Sequence, residues 1–286
     1  MLKQTALFIP GNTPKMQLSA DVFGADCLIF DCEDSVAIHQ KDSARILVRS
    51  CLTARDFQHH QRIVRINPVD SPFYQEDLIE MYHAKPDAIM IPKATPAVVK
   101  QVEHDLSEIE AKHGASSMMF YVIIETAYGV EMAFETCQES KRIVGVLLGG
   151  EDLCTDMHVT PTKKRIELQY PRSKVAMVAT ALNLVAWDTP YVDVDNLEGL
   201  RQDTQMAKSL GFTGKVCIHP NQVDIIKEVF AFTKEQVNEA IAIIEAYQYA
   251  EKQGLGVCSY QGKMIDKPVL ERAKQIVAAT KGSQII

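Results

Sequence analysis

The stretch FYVIIETAYG (120–129), followed after a helix-like segment by RIVGVLLGGEDL (142–153), decides how the rest of the chain is read. Its two apolar, β-branched runs, 120–124 and 143–148, each stop at a carboxylate: Glu125 in the first, Glu151 and Asp152 in the second. An acidic side chain at the end of a core strand is costly to desolvate unless a cation or hydrogen bonds meet it. Two such strand ends, one helix apart, can hold one metal ion between neighbouring strands. The alternative is that these carboxylates cap the helices that follow, although a cap is normally short and glutamate is a poor one.

Runs of the same kind recur on both sides of this stretch. They are ALFIP (6–10), CLIFD (27–31), RIVRIN (62–67), AIMIPK (88–93), LVAWD (184–188) and KVCIH (215–219). Without strict alternation, they read as parallel strands buried on both faces. Helix candidates lie between them. Thr95-Pro96 reads as an N-cap and first helical position before an amphipathic stretch to about His113, and 203–210 ends at a plausible C-cap, Gly211. Eight strands alternating with helices in one chain indicate an α/β fold, a TIM (β/α)8 barrel. An open doubly wound sheet is the runner-up, but no G-x-G-x-x-G follows the first strand.

After the eighth strand the pattern changes. Thr233 with Gln236 forms a capping-box signature for a helix to about Gln253, and a glycine-punctuated segment, a hairpin around Gln261-Gly262 and a final helix follow. The expected organisation is a barrel over 1–230 and a C-terminal helical and hairpin extension over 231–286, packing on the barrel and a neighbouring subunit.

Composition narrows the function classes. The 286 residues are 47% hydrophobic and 23% charged, an ordinary globular balance. A formal charge of −7 argues against nucleic acid as a partner, which needs a concentrated basic face. No run approaches the roughly 18 apolar residues of a membrane span. The N-terminus reaches turn-forming residues too soon for a signal peptide. Seven scattered cysteines with no C-x-x-C suggest neither disulfides nor zinc, so a reducing cytoplasm is expected.

In such a barrel the active site lies at the C-terminal strand ends. The polar residues there are Asp31, Glu33, Asp34, Arg65, Asn67, Lys93, Glu125, Glu151, Asp152, Asp188, His219 and Asn221. Oxygen-only ligation by two carboxylates, with water and substrate completing the shell, suits Mg²⁺ rather than zinc. Arg65 suits bidentate capture of a substrate carboxylate, although it has the alternative of pairing with an acidic neighbour across the barrel mouth. A metal beside an arginine suggests a small keto or hydroxy acid. The remaining residues carry plainer readings. Glu33 and Asp34 stand as helix caps or direct participants, Lys93 as a salt-bridge partner, His219-Pro220 as a turn under the barrel mouth, and Asp188 as turn chemistry. Backbone N–H groups from Gly149 through Gly150 and Glu151 to Asp152, at a helix start, are candidates for orienting the acid.

The motifs LFIPGNTPKM (7–16), GADCLIFDCEDSV (24–36), KDSAR (41–45), VRIN (64–67), IPKAT (91–95), IETAYGV (124–130), GGEDL (149–153), GFTGK (211–215) and GKMIDKPVLERA (262–273) stand in an order that resembles the citrate lyase β-subunit family. That family, within the HpcH/HpaI aldolase superfamily, includes citramalyl-CoA, malyl-CoA and citryl-CoA lyases. The resemblance implies a TIM barrel with Mg²⁺ on Glu125 and Asp152, Arg65 on the acid, Glu151 as a supporting carboxylate, and Asp266 reaching a neighbouring subunit's site as acid/base group. It implies trimers or hexamers of trimers. The implied reaction is retro-Claisen cleavage of a 3-hydroxyacyl thioester to a small keto acid and acetyl-CoA. The implied alternatives are a citrate lyase β subunit acting on a citryl thioester of an acyl carrier protein and a malyl-CoA thioesterase; a third, from another class, is a non-catalytic or assembly subunit whose barrel survives for its contacts. IHPNQ (218–222) looks more like the CoA-using relatives than an INPRQ-like stretch does. Where many relatives carry arginine this chain has Thr13, and Lys15 occupies the family's basic position toward the CoA phosphates.

Overall fold

The computed structural model describes residues 3–116 and 118–280. They fall into two compact units, 3–229 and the chain from Phe230 onward. In the first unit eight parallel strands close into a barrel in sequence order: β1 (Thr5–Pro10), β2 (Cys27–Asp31), β3 (Gln61–Arg65), β4 (Ala88–Ile91), β5 (Met119–Ile124), β6 (Ile143–Leu148), β7 (Val185–Asp188) and β8 (Gly214–Cys217). The last strand pairs with the first, Thr5 opposite Lys215. Each apolar run of the sequence is one of these strands, because strands covered by helices on one side and by the barrel interior on the other have no face left for polar residues.

The helices of this unit are α1 (Pro14–Leu18), α2 (Lys41–Ala54), α3 (Tyr74–Ala84), α4 (Pro96–His113), α5 (Ala127–Glu131), α6 (Ala133–Gln138), α7 (Gly150–Asp156), α8 (Gln169–Leu182), α9 (Leu197–Leu210) and α10 (Gln222–Phe230), which runs to the boundary. Their ends follow local chemistry. The Thr95 side chain accepts from the Val98 N–H at the start of α4, and Gly211, at φ +104°, closes α9.

Inside the barrel, Ile29, Ile63, Met90, Ile123, Leu147 and Val216 form one packed layer with Tyr121 and Trp187. The two rings stack at 4.5 Å with 1° between planes. Gly145 makes this possible: a Cβ there would stand 2.3 Å from the Tyr121 ring. The interior is therefore a filled core, and the opening lies at the strand ends.

The second unit contains α11 (Lys234–Lys252), the antiparallel pair β9 (Cys258–Tyr260) and β10 (Lys263–Ile265), and α12 (Lys267–Thr280). Thr233 and Gln236 form the reciprocal capping box that their spacing predicts. The hairpin turns through Gln261 and Gly262, both at positive φ. Among the described residues no helix is long and apolar enough to cross a membrane.

Candidate active site

At the C-terminal ends of the strands lies a cavity of about 410 Å³ whose lining comes from the 3–229 unit. Its polar wall holds Asp31, Asp34, Arg65, Glu125, Glu151 and Asp152, and its apolar wall includes Phe8, Met16, Ile123, Leu147, Pro190 and Ile218. Of the residues singled out in the sequence, Arg65, Glu125, Gly150, Glu151 and Asp152 thus meet on one opening. Lys15 is exposed on α1 and is not among the lining residues, although its neighbour Met16 is. Asp266 belongs to the second unit, where it caps α12: its carboxylate accepts the Val269 N–H at 3.2 Å.

Strand register builds the arginine corner. Asp31 and Arg65 end adjacent strands and are direct partners in the ladder. The Arg65 guanidinium grips the Asp31 carboxylate with two bonds of 2.7 Å, while Nη1 donates to Asp34 at 3.0 Å. Asp31 also accepts the N–H groups of Glu33 and Ser35, so the loop after β2 is folded around it. Burial alone would push the Asp31 carboxyl up, but the Arg65 charge and these bonds more than offset it and hold it below the usual range. Arg65 therefore does pair with acids, as its alternative reading had it, but with those at the end of the neighbouring strand β2 rather than across the mouth. Its Nη1 is held by Asp34, whose side chain is 62% exposed.

The residues of VRIN and KDSAR brace this loop from behind. Lys41 donates to the carbonyls of Cys32 and Glu33, Asn67 to that of Cys32, and Asp77 ties Asn67 to Arg45. Asn67 is thereby a structural residue. Glu33 is buried, and its Oε2 stands 3.0 Å from Arg65 Nη1 without a hydrogen bond. Burial pushes its carboxyl up to about 8 against the pull of Arg65.

The carboxylate pair of the opening stretch has a different setting. Glu125, 4% exposed, accepts the Lys93 backbone N–H at 2.6 Å and has no ion pair among the described residues. Burial, and next the charge of Asp152, push it up to about 7. Asp152 is raised as well, by burial and then by Asp34. Neither carboxylate is acting as a helix cap. Gly149 is required beside them, since a Cβ there would lie 2.6 Å from Glu125 Cβ and 2.7 Å from its Oε2.

Among the described residues no group of three or more His, Cys, Asp or Glu could enclose a metal ion. Two neighbouring oxygen donors that lack a cation, on an open cavity, do fit Mg²⁺, which keeps several positions for water and substrate. The backbone donors expected at the start of α7 are partly spent. Gly149 N–H donates to the Ile124 carbonyl and Gly150 N–H to Thr189 Oγ1, each at 2.9 Å. Gly150 thus lines the cavity without a free N–H to offer an acid.

Three plainer readings change. Among the described residues Lys93 makes no ion pair; its φ of +47° instead aims its N–H at Glu125. His219 is exposed rather than packed under the mouth, its ring 2.7 Å from Asn221 Oδ1. Asp188 is fully buried, bound by Arg172 at 2.9 Å and Lys215 at 2.5 Å, so it belongs to an ion network and not to a turn. Thr189 and Lys215 escaped the sequence reading, since neither carries a local signal and their partners lie 39 and 27 residues away.

The profile of the HpcH/HpaI aldolase/citrate lyase family matches residues 4–220, a span that includes the whole barrel wall described above. The chain belongs to this family. Its relatives include the citrate lyase subunit beta of Leuconostoc mesenteroides subsp. cremoris, 36% identical over 100% of this chain and 95% of that protein. The mitochondrial citramalyl-CoA lyase of Homo sapiens is 30% identical over 96% of this chain and 84% of that one. Among solved structures, the CitE protein of Mycobacterium tuberculosis in complex with magnesium, acetoacetate and coenzyme A superposes with a TM-score of 0.81 at 26% identity, covering 98% of both chains. The family to which these proteins belong is one of carbon–carbon lyases, and this chain is an enzyme of that class.

Proposed function

We propose that the enzyme is an Mg²⁺-dependent lyase that cleaves a 3-hydroxyacyl-CoA thioester of the citramalyl, malyl or citryl type into a keto acid and acetyl-CoA. The observation that carries this reading is the Glu125–Asp152 pair: two carboxylates, both raised, with no cation bonded to either, on the same cavity as Arg65. Those two side chains would hold the metal. When bound, Mg²⁺ supplies a Lewis acid for the oxygen that becomes the keto group.

The residues of the chain supply the rest. The bond between C2 and C3 breaks, the C3 hydroxyl loses its proton as C3 becomes a carbonyl, and the electron pair left on C2 takes up a proton. Arg65 is held rigid by Asp31, and its Nη1 meets the substrate carboxylate once Asp34, its exposed partner, gives way. Ile123, Leu147, Pro190 and Ile218 keep water from the carbanion-like carbon. Asp266, in a trimer or hexamer, delivers the C2 proton to a neighbouring subunit's site. The support for this is its place in the KMID segment, and its capping bond to Val269 is one that a substrate-bound state breaks or shares. Lys15 offers its exposed ammonium to the CoA phosphates, and Glu151 supports the acid-binding wall.

Citramalyl-, malyl- and citryl-CoA incubated with the protein and Mg²⁺ test the reading by product analysis. The expected products are a keto acid and acetyl-CoA. Free hydroxy acid with CoA would replace the lyase by a thioesterase, and no reaction with any of the three would overturn the reading.

A further inference from the structure

We propose that Arg165 receives a second substrate carboxylate on the side of the cavity opposite Arg65, and so favours thioesters whose keto-acid product is a dicarboxylate. The inference rests on the lyase reading above and concerns the same cavity.

The barrel order places β3, which ends in Arg65, four strands from β7, which leads into Thr189 and Pro190. In a closed barrel of eight, those are opposite walls. Arg165 is not itself a lining residue; it borders a smaller cavity with Gln169 and Arg172 and touches the wall of this one from behind. Its Nη1 donates to the carbonyl of Pro190 at 3.2 Å, and its Nη2 stands 3.8 Å from Glu151 Oε1; Pro190 and Glu151 both line the cavity. The side chain is 9% exposed, with the guanidinium carbon 5.2 Å from the centre of the Tyr191 ring.

Three features set this guanidinium apart. It has five N–H donors, yet among the described residues it makes the single hydrogen bond to Pro190; Glu151 and Asp203 stand 3.8 and 3.7 Å away, too far for one. Asp203 is held chiefly by Lys215 at 2.7 Å and Arg172 at 2.8 Å, and Arg165 only adds its charge from 3.7 Å. The backbone of Arg165 is left-handed, at φ +49°, an uncommon conformation for a residue with a long side chain and one that surroundings must impose.

The charge balance of the cavity calls for such a group. Five carboxylates line it, Asp31, Asp34, Glu125, Glu151 and Asp152, against the one lining cation Arg65, which is bonded to two of them. Even with a divalent ion on Glu125 and Asp152, a second substrate carboxylate would meet a negative wall. Glu151, whose side chain is 43% exposed, is free to turn outward and leave its place beside Arg165 to that carboxylate.

Steady-state kinetics of wild type, Arg165→Gln and Arg165→Lys on citryl-CoA and citramalyl-CoA test the assignment, with calorimetry of oxaloacetate and pyruvate binding to the Mg²⁺-loaded proteins. Arg165→Gln is expected to raise KM for citryl-CoA and weaken oxaloacetate about tenfold or more, the scale of one lost charged hydrogen bond. Citramalyl-CoA and pyruvate stay within about twofold, and Arg165→Lys recovers part of the loss. Equal losses on both substrates and both acids would make Arg165 a brace of the wall and overturn the proposal, as would no change on either. A wild type that cleaves neither thioester refutes the lyase reading instead, and the comparison of oxaloacetate with pyruvate still decides the role of Arg165.

Discussion

Two pairs of carboxylates near the strand ends of this barrel are treated in opposite ways. On the β7–β8 side, Asp188 and Asp203 are bonded by Arg172 and Lys215 at 2.5–2.9 Å. Burial pushes Asp203 up, but Lys215 and Arg172 more than offset it and hold it at about 2. On the β5–β6 side, Glu125 and Asp152 line one cavity, make no ion pair among the described residues and are both raised. The first pair is neutralised by the chain and works as a rivet between β7, β8, α8 and α9. The second is left short of positive charge beside an open cavity, the setting in which we propose that a cation binds.

The largest expected effect is on the neutralised pair. Lys215→Met leaves Asp188 and Asp203 with too little positive charge and is expected to lose about 3–5 kcal/mol of stability in denaturant unfolding. Glu125→Gln in metal-free protein should lose none, because it removes a buried charge that has no cationic partner, and the amide oxygen still accepts the Lys93 N–H. Equal losses would erase the distinction between the two pairs.

Turnover reverses the ranking. Glu125→Gln or Asp152→Asn, each folded, should reduce kcat by about a hundredfold or more, the several kcal/mol that a bound Lewis acid contributes. Conservative repair of the network, such as Lys215→Arg in a variant that still folds, should leave kcat within a few-fold.

The pH dependence sharpens the same contrast. Glu125 is raised from 4.5 to about 7 in the folded protein, so its contribution to stability is complete below 4.5 and is lost as the pH rises through about 7. The metal-free melting temperature should fall across that window, and Glu125→Gln should flatten the fall. Mg²⁺ competes with the same proton, so its apparent affinity should rise up to about tenfold per pH unit below 7 and level off above it. Gly149→Ala, whose methyl presses on Glu125, should remove about 1–3 kcal/mol, less than Lys215→Met.

Much of this was legible in the chain because it is written locally. An apolar run that ends abruptly is a strand, Thr95-Pro96 is a helix start, and Thr233 with Gln236 is a capping box. Glu125, Asp152 and Arg65 could be collected for the same reason, since each marks where a run stops. What stayed hidden depends on pairing across the barrel. Lys215 opens an apolar run and looks like a strand edge until Asp188 closes on it. The bond from Gly150 to Thr189, and the turned backbone of Lys93 that presents its N–H to Glu125, have no sequence pattern of their own. Asp266 came from the family resemblance alone, because its neighbours Lys267-Pro268 are those of an ordinary helix cap.

Calorimetric titration of Mg²⁺ into wild type and Glu125→Gln at pH 8 tests the central claim most directly. One binding site is expected in wild type, accompanied by a rise in melting temperature, with both absent from a folded Glu125→Gln. Undiminished Mg²⁺ binding by that variant would contradict the claim.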